Sequence, residues 1–341
     1  MKDGIKIFKD YPLIGAGGGA WKNLYRKYQS YPYNTTEVHN FYVQYAVEVG
    51  ILGLAILFIV LIQLFIGFIK SIKNKSNYLT VYLAVMLLLI HSFIDFNLSL
   101  PAVTFILWML IGILNNDNNI KQITLPQKKT ACIGFIIISI FILITSSSIY
   151  YGMNLGDKAS KMVNEDIDTA IPLYQKAMKF DKYNNAYRAD YAQIMSSKLN
   201  ETKDVNYFNN MMEQIEKIRK TEPHNYKYAS VILNLLLSNG QLDKAVALAN
   251  DRVKDEPMVP ESYIMKIDVN YEIAKHYFSN NEHAKAIPYL ENILEVENEY
   301  NNAQEKSLQQ IKLEKKYKTD MYGLARNWIE QANRIENIKK K

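Results

Sequence analysis

The residues best suited to chemistry fall in two histidine-centred groups. His39 stands eleven residues before Gly50, where a long apolar run begins. An imidazole titrates near neutrality, so there it can take a proton from a hydroxyl, or it can serve as a polar anchor at a membrane surface. Asn40 follows it directly. Glu48 lies against the apolar run, where a carboxylate is costly unless it is paired or faces a polar cavity. His91 and Asp95 are four residues apart and share a face if helical. They fit a cavity shared with His39 or a bond to each other. Arg26 is the one arginine in the first 150 residues and the available contact for an anion. Gly15, Gly17, Gly18 and Gly19 suggest a phosphate loop, but no apolar strand precedes them and no Lys-Ser or Lys-Thr follows. Two uses stay open for them: a tight turn, or backbone N–H groups offered to a lipid-linked phosphate.

The elements that must position these residues are apolar. Residues 50–69, GILGLAILFIVLIQLFIGFI, hold only Gln63 as a strongly polar side chain. Twenty helical residues at about 1.5 Å each cross about 30 Å of hydrocarbon. Residues 78–94, 96–114 and 131–151 are three further runs, predicting four spans. The third opens at Pro101, whose missing N–H is harmless in a first helical turn. From there to Leu114 is about 21 Å of helix, so irregular backbone or an extension must complete it.

Lys70, Lys73 and Lys75 follow the first run, and Lys121, Lys128 and Lys129 precede the fourth. The positive-inside rule puts both loops in the cytoplasm. Residues 1–40, the 95–99 turn and everything after Tyr151 then lie outside, although Lys22, Arg26 and Lys27 are basic and on that side. Residues 1–40 hold no apolar run that could start translocation. Either spans are missing upstream or the first span inserts with its N-terminus outside, and the expectation taken is an incomplete membrane module.

After Tyr151 the sequence repeats itself. AIPLY at 170–174 answers AIPYL at 286–290, and aligned helix endings put equivalent positions at 170, 211, 245 and 286. Of the spacings 41, 34 and 41, the middle one equals the tetratricopeptide period and the other two are irregular, with partner helices expected over 185–198, 226–238 and 267–278. Gly240 is a natural stop between two helices of one repeat. Further helices are expected over 304–318 and 321–339. Helix pairs of this kind bury their apolar stripe only by stacking, and such stacks present faces that bind a peptide, a glycan or a partner protein. The fold class is all-α: multi-span transmembrane helices followed by an α-solenoid of tetratricopeptide-like repeats. Its parts are an extracytoplasmic loop at 1–40, a membrane domain at 41–151 and an extracytoplasmic repeat domain at 152–341.

Charge narrows the function. Residues 1–150 carry 12 Lys/Arg against 6 Asp/Glu, whereas residues 151–341 carry 28 of each. The soluble-looking half has no positive field, which argues against nucleic acid. The single cysteine, Cys132, excludes internal disulfides and Cys-rich metal sites, and the five histidines are scattered. No metal or other cofactor is expected.

HNFYVQYAVEVGILG at 39–53 resembles the signature of the O-antigen ligase/polymerase-like integral membrane family: His-Asn, nine residues, Gly, two residues, Gly, here His39, Asn40, Gly50 and Gly53. PLIGAG at 12–17 is similar to the start of that family's large external loop, with Gly15 and Gly17 in place. HSFIDFNLSLPA at 91–102 resembles a late-span segment. The likeness covers about residues 5–115, and the repeats resemble a common C-terminal extension of Gram-positive members. It implies transfer of a glycan from a polyprenyl-diphosphate carrier to a glycan or protein acceptor. His39 would activate the acceptor or contact the diphosphate, with Asn40, Glu48, His91 and Asp95 around the substrate. Family members neutralise the leaving diphosphate with arginines. One usually lies just upstream of the helix leading into the PLIGAG segment, a place that falls before Met1 here, so Arg26 stands as a substitute. The family also has many more spans than four, which implies a truncated or split member whose own site is incomplete. A non-catalytic, membrane-anchored repeat scaffold for envelope proteins is the alternative.

Overall fold

A computed structural model describes residues 1–115 and 128–339, all helices and turns. Lys121 and the side chains of Lys128 and Lys129, which carry half of the topology argument, lie outside what is described. The chain forms two compact units.

The first unit comprises Met1–Thr124, Asp255–Tyr263 and Glu297–Lys318. Its leading helices are α1 (Lys2–Asp10), α2 (Ala20–Tyr28), α3 (Phe41–Lys73), α4 (Leu79–His91) and α5 (Pro101–Leu114). α1 and α2 are short and charged on one face. They close over a small core of Ile7, Ala20, Trp21, Tyr25, Val38 and Val47. α3 is 33 residues long with a mean hydropathy of 2.9 over its most apolar stretch, long and apolar enough to cross a membrane. Ile56, Phe58, Ile59 and Ile62 on it are all more than half exposed, so this is not the core helix of a water-soluble fold. α4 and α5 have 13 and 14 residues, short of a straight span. The sequence explains why. α4 ends at His91, the chain turns through Ser92–Ile94 and a 3₁₀ turn at Asn97–Ser99, and Leu100 is extended before Pro101 at the first position of α5. Tyr82, Val85 and Leu89 of α4 meet Leu64 of α3 and Leu107 and Leu114 of α5 in one cluster. Thus two of the four expected spans are long enough on their own.

The second unit comprises Leu125–Lys254, Ile264–Val296 and Thr319–Lys341. It opens with α6 (Lys128–Met162), whose Cys132–Met162 part has a mean hydropathy of 2.4 and is the second helix able to cross a membrane. α6 changes character along its length. Ile138, Phe141 and Leu143 are exposed, whereas Leu155 and Ala159 are buried against the helices that follow. Gly152 and Gly156 make that contact close: a Cβ on Gly152 would meet Asp181 at 2.8 Å.

Those helices are α7 (Ile167–Phe180), α8 (Asn185–Thr202), α9 (Val205–Thr221), α10 (Tyr226–Ser238), α11 (Leu242–Asp255), α12 (Pro260–Ser279), α13 (His283–Lys306) and α14 (Met321–Lys339). They pack tightly, in a manner resembling a solenoid. Ala170, Met211, Ala245 and Ala286, the four aligned positions, are all fully buried. Side-chain caps start the helices: Asp166, Asn184, Asp204 and Asn225 each accept a backbone N–H from the first turn. Gly240, with φ of 69°, ends α10, and the Gln241 N–H bonds back to the Leu236 carbonyl at 2.8 Å. The expected helix over 304–318 is not there. α13 continues to Lys306, and residues 307–314 form an irregular strap before a short π-type turn at Lys316–Asp320.

Candidate functional site

The start of α3 joins the two histidine groups. Asn40 is buried and caps α3, its Oδ1 accepting the Val43 N–H at 2.9 Å. Its Nδ2 donates to the Phe93 carbonyl at 2.7 Å. The Phe41 N–H reaches the carbonyls of Ser92 at 3.0 Å and Asp95 at 3.1 Å. The turn after α4 is thereby stapled to the residue following His39–Asn40, and the exposed His39 ring lies edge-on to Phe96 at 5.2 Å. His91 Nδ1 is 3.1 Å from Asn97 Nδ2 and 3.8 Å from Asp95 Oδ2, so its close partner is Asn97. Asn40 makes contacts that position rather than contacts available to substrate.

The second device is a break in α3. Gly50 has φ of 65° and ψ of −165°, a region essentially closed to side-chain-bearing residues. A break there strips partners from backbone groups on both sides, and each bare group in apolar surroundings costs several kcal/mol. The PLIGAG loop supplies them. Ala16 and Gly17 N–H groups donate to the carbonyls of Val47 at 2.8 Å and Glu48 at 3.1 Å. The carbonyls of Pro12 and Leu13 accept from Ile51 at 2.8 Å and Leu52 at 3.2 Å. The fit requires glycine on both partners: a Cβ on Gly15 would strike the Glu48 carbonyl, and one on Gly50 would strike the Leu13 carbonyl and Gly15 amide. Gly53 lies one turn on, where a Cβ would strike the Val49 side chain.

This interlock decides the use of the glycine loop. The Gly19 N–H donates to Glu48 Oε1 at 3.2 Å, and the Ala20 N–H to the Gly17 carbonyl at 3.1 Å. With Ala16 and Gly17 also bonded, the loop is occupied by backbone carbonyls and a carboxylate, the opposite of a phosphate cradle. Glu48 has found the partners that a carboxylate near an apolar run needs.

A cleft of about 600 Å³ opens beside His39. Lys2, Asp3, Trp21, Tyr31, Tyr33 and Glu37 line it with His39, and Leu308 stands at its edge. Its base is a dense polar network. Asp3, 5% exposed, accepts from Lys6 Nζ at 2.8 Å, Ser30 Oγ at 2.6 Å, Ser30 N at 3.2 Å and Tyr33 Oη at 2.9 Å. Burial alone would raise its pKa, but these bonds outweigh it and hold the carboxyl below its usual 3.8. Burial, with the Asp3 charge beside it, pushes the Tyr33 phenol well above its ordinary value. Glu37 is held by Gln44 Nε2, and Gln44 Oε1 accepts the Val38 N–H at 3.0 Å. The buried Gln44 therefore fixes the 37–39 segment from inside α3. Trp21 is buried, and its indole N–H has no hydrogen-bond partner among the described residues.

Of the residues read from the sequence, His39 faces this cleft, while Asn40, Glu48, Gly15, Gly17 and Gly50 build its supports. His91, Asp95 and Arg26 are not among its lining residues. Arg26 lies at the end of α2, its Nε 3.3 Å from Tyr25 Oη. Glu37, Gln44, Trp21 and Lys2 were missed. Glu37 and Gln44 carried a weak signal, polar side chains two before His39 and four before Glu48. Among the described residues no group of three or more His, Cys, Asp or Glu is placed to hold a metal ion.

A family model described as O-antigen ligase matches residues 1–58, which is 58 of the 341 residues and takes in the loop, His39, Asn40 and the Gly50 break. No curated protein and no solved structure matches the chain.

Proposed function

We propose that this chain transfers a glycan from a polyprenyl-diphosphate carrier to a glycan or protein acceptor at the outer face of a cell membrane. The observation that carries the reading is His39 on an open, aromatic and polar cleft, held there by the part of the chain that the family model matches. Aromatic faces such as Tyr31 and Tyr33 suit sugar rings, and the polar groups between them suit hydroxyls. In this scheme neutral His39 takes the proton of the acceptor hydroxyl as its oxygen bonds to the anomeric carbon. The bond from that carbon to the diphosphate breaks, and its electron pair leaves with the carrier. Glu37 steadies the imidazolium that forms. Lys2 lines the cleft and Arg26 does not, so Lys2 is the better placed for the departing diphosphate. No metal enters the scheme.

The same reading takes the runs at 50–69, 78–94, 96–114 and 131–151 as four spans, α4 and α5 being completed by the irregular backbone between them. His91 and Asp95 then border the substrate path rather than the reacting atoms, and Asn40 positions His39 from behind it. The chain would be a multi-pass membrane protein with its repeats, tetratricopeptide-like, outside the cell.

A second reading, a membrane-anchored scaffold, draws on the helical stack. A cleft of about 350 Å³ there is lined by Tyr174, Asp190, Gln193 and Ser197. Burial raises the Asp190 carboxyl, and Tyr174 Oη donates to it at 3.1 Å. The test compares the whole chain in its native membranes with His39→Ala. A general base contributes about 10²–10⁴-fold, so glycan transfer should fall at least 100-fold while the protein stays folded and membrane-bound. Unchanged transfer would reject His39 as the base, and no transfer by the wild-type chain would leave the scaffold reading standing.

A further inference from the structure

The strap at 307–314 reaches the cleft from almost 270 residues downstream of His39, and it belongs to the same compact unit. It is fixed on both sides of its tip. Ser307 Oγ donates to the Gln309 carbonyl at 2.6 Å, and the Ser307 N–H to the Gln304 carbonyl at 3.3 Å. Ile311 is fully buried. Its N–H donates to Gln304 Oε1 at 2.9 Å, and its carbonyl accepts from Tyr300 Oη at 2.7 Å. Tyr300 in turn lies edge-on to Tyr263, whose Oη donates to the Pro257 carbonyl at 2.6 Å.

Between these anchors the Leu308 N–H donates to the Ser30 carbonyl at 3.1 Å. Ser30 is the residue that Asp3 holds through both its N–H and its hydroxyl. The strap tip is therefore indexed to the polar base of the cleft by a main-chain bond. Lys27 Nζ, 3.9 Å from Asp255 Oδ1, adds a second tie within the unit. The Leu308 side chain is left 70% exposed while lining the cleft. An apolar side chain kept in solvent by a rigid backbone at the mouth of a cleft is placed to be covered by what enters. The Trp21 ring lines the same space.

We propose that the strap is the outer wall of the acceptor subsite, and that Leu308 is a specificity residue that takes the apolar face of the acceptor's sugar ring. The ring's hydroxyl edge then points at the polar groups opposite, Lys2, Tyr31 and Glu37 among the lining residues. This rests on the glycan-transfer reading above. It adds that the repeat-bearing half of the sequence helps to choose the acceptor.

Two measurements test it. In the full chain with Cys132→Ser, the pair Tyr31→Cys and Leu308→Cys is treated in membranes with a short bis-maleimide and digested. An intramolecular link between the two peptides is expected; its absence would overturn the strap's position. Transfer is then followed with oligosaccharide released from the cells' own envelope glycan as acceptor. Leu308→Asp should raise the acceptor KM at least tenfold with kcat within twofold, and Leu308→Met should restore the normal value. An unchanged acceptor KM in Leu308→Asp would overturn the specificity role while leaving His39 catalysis intact. If the wild-type chain transfers nothing, the glycan-transfer reading falls and the acceptor role falls with it. The cross-link then still decides whether the strap is docked.

Discussion

Gly50 and Gly240 have nearly the same φ, 65° and 69°, yet they sit in regions built on different principles. Around Gly240 the chain is regular. A helix stops, its last carbonyls are satisfied by the following residues, and a Cβ at Gly240 would meet nothing within 4 Å. Around Gly50 a helix is broken inside its length, and the missing partners come from a loop 35 residues earlier. The repeat helices are held by stripes that every helix carries locally. The His39 region is held by bonds between segments that say nothing of each other in sequence. The difference teaches where a chain can absorb change: the helical stack at many places, the interlock at almost none.

Exchanging each glycine for alanine is the sharpest way to break this comparison. Gly50→Ala forces a Cβ into the Leu13 carbonyl at a conformation closed to alanine, and it should cost more than about 3 kcal/mol. Loss of folded protein in detergent, followed by thermal unfolding, is the expected result. Gly240→Ala has left-handed strain but open space, and should cost about 1 kcal/mol. Equal losses would show that the interlock adds nothing to backbone strain.

Asn40→Ala comes next. It removes the α3 cap and the bond to the Phe93 carbonyl, together worth about 2 kcal/mol. Unfolding monitored in detergent should show it. Asp204→Ala, which removes an exposed cap in the repeats, should cost about half as much. A reversed order would contradict the role of Asn40 as a staple.

The smallest effect concerns acid. Because the folded Asp3 carboxyl lies below 3.8, its contribution is fully present above that value. It is lost as pH falls through the lower folded value. Melting temperature measured through that acid range should decline less steeply in Asp3→Asn than in wild type. Parallel declines would mean that Asp3 is not the carboxyl that senses this range.

What could be read from the sequence follows the same division. Small or apolar residues at 170, 211, 245 and 286 announced a repeated stripe, and all four are buried. The apolar runs announced α3 and α6 because length and hydropathy are local properties. His39 was singled out by its type and its place beside a run, and it lines the cleft. The break at Gly50 was not found, since the span was read as starting there rather than as continuing a helix from Phe41, and the partners that the break needs lie in PLIGAG. Glu48 looked like a substrate contact because its cost was visible but its acceptor role toward Gly19 was not. Residues 304–318 read as helix, and only burial of Ile311 and the bonds from Gln304 and Tyr300 turn them into a strap. Leu308 carried no signal at all.

Glycan transfer at an outer face requires that His39 open to the outside of the membrane that α3 is long and apolar enough to cross. The direct measurement places a cysteine at that position in a Cys132→Ser background and labels whole cells with a membrane-impermeant maleimide. Labelling of intact cells is the expected result. Labelling only after the cells are opened would put His39 on the cytosolic side and contradict glycan transfer at the outer face.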